Sequence, residues 1–325
     1  MLRWFYRRPV SCTCVSRVSR HAVITGATSG LGRATAFELA RHNWRLTLGC
    51  RNLNAAKQLI EEIIAKTGND KLEAKHLDLV EPSSILRFAN SFQHEIDVLI
   101  NNAGVMARDP RPVNAFGGLN VDTVTNYLGP FYLTQLMIPK LKVMEEKSHY
   151  PRIIFVSSSL AKKGSVDELL NAETSRTEWN SSQAYANSKL AVCFYARELH
   201  RCFGSGEEKK LNVYCLFIGG MVHTNLSREI ISKYPTLLQP ILRLISRLLL
   251  KSPAEGCQGI LHCAISDAVP MAHLIGSTAS ITDLSGSGLL YSGCVPIPWP
   301  SIMQDVEKQH GLWKTTMQFL SLKVD

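Results

Sequence analysis

His21-Ala22-Val23-Ile24-Thr25-Gly26-Ala27 is a short β-branched run that ends in glycine, and Thr28-Ser29-Gly30-Leu31-Gly32 carries it into a stretch with helical spacing. A strand that turns through glycines into a helix leaves backbone N–H groups at the helix N-terminus open to an anion. Glycines also let a pyrophosphate approach them closely. The spacing is TGxxxGxG rather than GxGxxG, and such a loop taken alone also fits a plain strand-to-helix turn. The alternation along the rest of the chain decides between the two. Strand-like runs at 44–50, 72–79, 97–101, 152–157 and 212–217 alternate with helical patterns at 31–42, 54–67, 83–92 and 121–145, and with one carrying Tyr185 to His200. Strands separated by helices of about ten or more residues mean βαβ crossovers and a parallel sheet covered on both faces. With right-handed crossovers the expected fold class is α/β, a single doubly wound parallel-sheet Rossmann domain. No internal repeat or low-complexity linker divides the chain, which reads as one domain over 21–300 between a basic leader or arm at 1–20 and a tail at 301–325.

Composition sets the class. Of 325 residues, 45% are hydrophobic and 19% charged, as in an ordinary globular enzyme and unlike a disordered chain. The formal charge of +9 is concentrated: Arg3, Arg7, Arg8, Arg17 and Arg20 lie in an N-terminal stretch without a single acid. That leader is similar to a mitochondrial presequence, and it also reads as an unstructured arm or as a membrane-surface anchor using Trp4, Phe5 and Tyr6. No window holds about eighteen uninterrupted apolar residues, so no transmembrane helix is expected. Nothing resembles a zinc finger or an interleaved aromatic and basic run, so nucleic acid is not an expected partner. Nine cysteines without a CxxC pair suggest reduced thiols in an intracellular protein, and the histidines show no metal-ligand spacing.

Three features carry chemistry. The second strand ends in Cys50-Arg51, nineteen residues beyond Gly32, where a chain that binds NAD places an acid on the ribose hydroxyls. A cation there suits the 2′-phosphate of NADP(H), and Arg33 beside the loop adds positive charge. Tyr185-Ala186-Asn187-Ser188-Lys189 puts a phenol and an ammonium one helical turn apart on one face. A phenol is a poor base at neutral pH, and an adjacent cation favours its anion, so such a pair suits proton exchange with an alcohol or carbonyl oxygen while a hydride moves to or from nicotinamide. Finally, the strand at 152–157 runs into Ser157-Ser158-Ser159, hydroxyls able to hydrogen-bond a substrate oxygen.

TGATSGLG, LDL, NNAG, TNYLG, VSSS and YANSK stand in the order and approximate spacing of the short-chain dehydrogenase/reductase family, which the chain resembles from 21 to about 295. The resemblance implies that Tyr185 is the acid/base, that Lys189 lowers its pKa and binds the nicotinamide ribose, that Ser158 orients the carbonyl, and that Asn126 holds a proton-relay water. Ser157 and Ser159 remain open as alternatives to Ser158. It implies cofactor contacts from Gly26, Ser29, Gly30, Leu31, Gly32, Arg33, Arg51, Asp78, Leu79, Asn102, Ala103, Gly104 and Thr224, and a homodimer. NNAGVM, NYLGPFYLT, AYANSKLAV and SGLLYSG look like the retinol dehydrogenase-like group, with similarity to the X-linked dehydrogenase/reductase branch. That group favours NADP(H) and apolar alcohols or aldehydes of retinoid or polyisoprenoid type. The family usually has Pro-Gly after the sixth strand, where this chain has Gly219-Gly220.

The segment 224–252 falls where the family has its variable substrate lid. Within it, LLQPILRLISRLLLK (237–251) has an apolar stripe at helical spacing, with Arg243, Arg247 and Lys251 four residues apart. A core helix, a mouth for lipid substrates and a peripheral membrane-surface helix all fit that pattern. The expected location is accordingly membrane-associated, at the endoplasmic reticulum or lipid droplet, or mitochondrial. Two other functions fit the residues, a steroid or xenobiotic carbonyl reductase and a non-catalytic NADP(H)-binding sensor. A complete Ser158, Tyr185 and Lys189 set argues against the sensor.

Overall fold

The computed structural model describes residues 20–93, 95–141, 150–177, 179–206, 209–218, 251–266 and 287–322. The leader, the Gly219-Gly220 turn, Thr224 and the segment at 237–250 lie outside the described residues.

The Gly-rich run folds as its spacing predicts: β1 (His21–Thr25) passes through it into α1 (Gly30–Arg41). Then come β2 (Arg45–Cys50), α2 (Leu53–Thr67), β3 (Leu72–His76), α3 (Pro82–Asn90) and β4 (Val98–Asn101). A two-stranded ribbon, β5 (Pro112–Val113) with β6 (Leu119–Asn120), precedes α4 (Gly129–Met137). The second half holds β7 (Arg152–Ser157), α5 (Ser181–Phe203), β8 (Asn212–Phe217), α6 (Gln258–Ile265), β9 (Leu290–Ser292), β10 (Val295–Ile297) and α7 (Val306–Phe319).

Eight strands form one sheet in the order β3-β2-β1-β4-β7-β8-β9-β10, all parallel except the edge strand β10. The fold is a doubly wound Rossmann domain. Both faces are covered, and the period of two distributes each strand between them. Ile153 and Phe155 of β7 point into the core that holds Phe88, Phe131 and Tyr195. Ile154 and Val156 point into the other, with Phe37, Leu59 and Ile260. Strand order reverses between β1 and β4, so a crevice opens at the carboxyl ends of those two strands.

Three departures from the sequence reading have physical causes. β3 stops at His76 because 77–79 leave the sheet to line the crevice. The single helix expected over 121–145 is broken. A turn (Val121–Thr123) widens into a π-helical stretch (Val124–Leu128), α4 comes next, and a 3₁₀ turn with Pro139 in its first positions ends the run at Lys140. The tail expected at 301–325 instead holds α7, which docks on the helix bearing Tyr185. Trp313, 7% exposed, packs edge-on against Phe131 at 5.4 Å and beside Tyr195 at 5.5 Å. Thr316 bonds the Tyr127 hydroxyl at 2.8 Å, and His310 meets the buried Glu198 carboxylate at 2.9 Å.

Removing a buried indole leaves a cavity whose cost adds to the lost transfer energy. Trp313→Ala is expected to lower unfolding free energy by about 3 kcal/mol in a denaturant titration. A loss below about 1 kcal/mol would show that α7 is a peripheral appendage.

Candidate active site

Close packing builds the crevice at the switch point. Gly26 has φ +67°, and a Cβ there would sit 2.9 Å from Ala103 Cα. A Cβ on Gly32 would fall 2.4 Å from the Gly26 carbonyl oxygen and 2.5 Å from Asn102 Nδ2, so only glycine lets α1 approach β4 this closely. Thr25 and Asn102 then stitch the two strand ends together. Thr25 Oγ1 accepts from the N–H groups of Asn102 at 3.1 Å and Ala103 at 3.0 Å, while Asn102 Nδ2 donates to the Thr25 carbonyl at 2.8 Å. Ser29 caps α1 in an extended conformation without a side-chain cap bond, which leaves the first-turn N–H groups directed at the crevice.

The resulting cleft has a volume of about 630 Å³. Of the residues named from the sequence, Gly26, Ser29, Gly30, Leu31, Arg51, Asp78, Leu79, Asn102, Ala103, Gly104, Ser157, Ser158, Ser159, Tyr185 and Lys189 line it. Gly32 lies just behind, and Asn126 abuts Gly104. Arg51 stands exposed at the end of β2, beside Asn52, which caps α2 by accepting from Ala55 N at 3.0 Å. Arg33 stands apart from these residues. It does not line the cleft; its guanidinium is engaged by Glu62 of α2, whose carboxyl Lys66 and Arg33 hold well below the usual carboxylate range.

At the other end of the cleft, α5 places Tyr185 and Lys189 together, with the ammonium 5.7 Å from the phenol ring centre. The triple serine separates by geometry. Ser157 Oγ is buried and donates to the Lys189 carbonyl at 2.9 Å, whereas Ser158 lines the cleft with Tyr185 and its hydroxyl caps the next 3₁₀ turn. Lys189 Nζ donates to the Val156 carbonyl at 2.9 Å. Gly104 leaves room between that ammonium and Asn126: a Cβ on it would lie 3.2 Å from Lys189 Nζ and 3.3 Å from Asn126 Oδ1. Asn126 sits in the π-helical stretch, clasps the Val105 backbone through both amide atoms at 2.7 and 2.8 Å, and donates to Ser188 Oγ at 2.9 Å.

Electrostatics depart from the expectation of a lowered phenol. Burial pushes Tyr185 up to about 12; the Ser158 hydrogen bond opposes this and the charge of Asp122 adds to it. Burial likewise pushes Lys189 down to about 8. In this pocket desolvation dominates and favours the protonated phenol. Thr25 opens TGATSGLG and Met106 closes NNAGVM, and both line the cleft; Asp122 stands in no motif. Only the fold brings Asp122 behind the cleft wall, where it accepts from the Ala107 N–H.

A short chain dehydrogenase family profile matches residues 20–235, and the chain belongs to that family of oxidoreductases. Its relatives include retinol dehydrogenase 14 of Mus musculus, 38% identical over 261 residues that cover 76% of this chain and 74% of that protein. Retinol dehydrogenase 13 of Homo sapiens is 36% identical over 250 residues, 75% of this chain and 72% of that one. Dehydrogenase/reductase SDR family member 13 of Bos taurus is 31% identical over 310 residues, 93% and 74%. Among solved structures, an uncharacterised protein from Mycobacterium paratuberculosis superposes with a TM-score of 0.71 at 26% identity, covering 97% of this chain and 100% of that one. A Shigella flexneri short chain dehydrogenase solved with NADP shares the fold at a TM-score of 0.53 and 23% identity, covering 74% and 89%.

The serine geometry makes a direct forecast. Ser157→Ala removes a buried hydrogen bond and is expected to cost about 1 kcal/mol of stability. Ser158→Ala is expected to leave the melting midpoint within a degree or two and to impair turnover. The reverse pattern in paired melting and activity assays would exchange the two roles.

Proposed function

We propose that the protein is an NADP(H)-dependent oxidoreductase that interconverts an apolar alcohol, of retinoid or polyisoprenoid type, with its aldehyde or ketone. The observation that carries this reading is the Ser158–Tyr185–Lys189 arrangement at the inner end of a cleft whose outer end carries Arg51. Its fit to a dinucleotide rests on the glycine cradle of Gly26 and Gly32 and on the open N-terminus of α1. The α1 N–H groups would take the pyrophosphate, Asp78 and Leu79 would flank adenine, and Arg51 would meet the 2′-phosphate. Lys189 would hold the nicotinamide ribose. A bound nicotinamide supplies or accepts the hydride.

The side chains do the rest. Ser158 donates to the substrate oxygen and Tyr185, a phenol at neutral pH, gives it a proton during reduction and takes one back during oxidation. Lys189 supports the charge that develops on Tyr185, and Asn126 keeps the Val105 backbone beside it. Substrate class is argued from the apolar wall of Val105, Met106, Leu160 and Ile218 around Tyr185, and from the retinol dehydrogenases among the relatives. The apolar and cationic stripe at 237–251 supports contact with a membrane surface. Among the described residues no helix is long and apolar enough to cross one.

Incubating the purified protein with NADPH and retinal, a polyprenal or a steroid ketone, and following cofactor oxidation, tests the reading. Tyr185→Phe is expected to lower turnover at least about 10²-fold while NADPH affinity stays within about threefold; turnover within threefold of wild type would sink the role of Tyr185. With pH the sign comes from Lys189. Its ammonium is present below about 8 and lost above it, while Tyr185 stays protonated to about 12. Reduction measured as kcat/KM is therefore expected to be level near neutrality and to fall as pH rises through 8, and Lys189→Arg should abolish that limb.

Arg51→Asp replaces attraction to a 2′-phosphate with repulsion and is expected to shift cofactor preference from NADPH toward NADH by at least about tenfold. Equal affinities for the two cofactors in the wild type would refute the role given to Arg51.

A further inference from the structure

Ser188 stands inside YANSK, where the proposed chemistry uses only the tyrosine and the lysine. It is fully buried, at 0% exposure, three residues after Tyr185 and one before Lys189 on α5. Its hydroxyl donates to the Tyr185 carbonyl at 2.8 Å, so its single proton is spent and only lone pairs remain. These accept from Asn126 Nδ2 at 2.9 Å. The donor side of Asn126 is thereby used in full: one N–H goes to Ser188 and the other to the Val105 carbonyl at 2.8 Å, while Oδ1 accepts from the Val105 N–H at 2.7 Å. Val105 alone leaves the carboxamide free to tilt about one line. Ser188 supplies the further point that fixes its plane, and that point lies on the helix bearing Tyr185 and Lys189. The orientation matters because a Cβ on Gly104 would lie 3.2 Å from Lys189 Nζ and 3.3 Å from Asn126 Oδ1, so both groups border the same narrow space.

We propose that Ser188 is a positioning residue for this reaction: its hydroxyl, aimed by the Tyr185 carbonyl, locks the Asn126 carboxamide to α5 and so sets the space at Gly104 between Asn126 and Lys189. The inference rests on the roles proposed for Tyr185 and Lys189. Ser188 does not line the cleft and acts through Asn126. A second tie bounds the same stretch of chain, since Ser181 in the first turn of α5 donates through Oγ to the Ala107 carbonyl at 2.5 Å. The tripeptide 105–107, whose middle residue Met106 lines the cleft, is thus moored to α5 at both ends, directly through Ser181 and by way of Asn126 through Ser188. Removing the Ser188 hydroxyl leaves a buried Asn126 N–H without an acceptor, which is relieved by tilting the amide or by admitting water. Either change loosens Asn126 while Tyr185 and Lys189 keep their places on the helix.

The experiment joins side-chain hydrogen exchange to a double-mutant cycle, both on the full chain. The Asn126 side-chain N–H signals, assigned by their loss in Asn126→Ala, are expected to be protected in the wild type. Ser188→Ala should speed exchange of at least one of them about tenfold, as the loss of one hydrogen bond implies. With whichever of retinal, the polyprenal or the steroid ketone is reduced, kcat should fall about tenfold while KM for NADPH stays within about twofold. Because Ser188 acts through Asn126, adding Ser188→Ala to Asn126→Ala should lower kcat by no more than about twofold further. A folded Ser188→Ala protein with unchanged kcat, or losses that multiply in the double variant, overturns the proposal and leaves the functional reading standing. If no carbonyl is reduced at all, that reading fails; Asn126 exchange then decides alone, faster exchange in Ser188→Ala supporting the lock and unchanged exchange overturning it. Should Ser188→Ala fail to fold, Ser188→Cys, which keeps the volume and offers a weaker acceptor, is carried through the same comparisons.

Discussion

The tie between Thr25 and Asn102 is the constraint on which the site depends. Parallel strands that diverge at a switch point leave unpaired backbone groups at their carboxyl ends, and here a hydroxyl and a carboxamide satisfy them at 2.8 to 3.1 Å. That bond set draws β4 against the Gly-rich turn so tightly that a Cβ at Gly26 or Gly32 would collide with its neighbours. The cleft, the open helix N-terminus and the passage of 102–107 toward Asn126 all result from that closeness.

Burial governs the chemistry at the far end. Lys189 and Tyr185 are almost wholly enclosed, and each is driven toward its neutral form, the amine toward about 8 and the phenol toward about 12. Burial thus favours the protonated phenol and loosens the ammonium proton, so small changes in nearby charge move Lys189 across the neutral range. Ser158, which lines the cleft and caps the next turn, and Ser157, bonded to the lysine carbonyl, show how adjacent hydroxyls separate in role. The alternation of a strand that ends there turns one inward and the other toward the cleft.

The C-terminal helix binds the second half of the molecule to this site. Trp313 fills the space between Phe131 and Tyr195, and Thr316 completes the buried hydroxyl of Tyr127, three residues before Pro130 in the segment that also carries Asn126. No periodicity set that helix apart in the sequence. Its hydrophobic side chains are spaced among lysines and threonines, and its reason for folding is the aromatic surface that receives it.

The alternation of strands and helices, the doubly wound sheet and the Gly-rich turn were legible because local periodicity and backbone freedom act over a few residues. The Tyr185–Lys189 pair was legible too, since helical geometry alone brings i and i+4 together. Tertiary structure decided the rest. It turned Arg33 to Glu62, tied Ser157 to the Lys189 carbonyl, broke the helix around Asn126 and set Asp122 on the Ala107 N–H behind the cleft wall. It also raised the phenol that the motif alone suggests is lowered. Proton affinity inside a protein depends on how much water the completed fold excludes, and that is a property of all the chains of contact around a residue rather than of its neighbours in sequence.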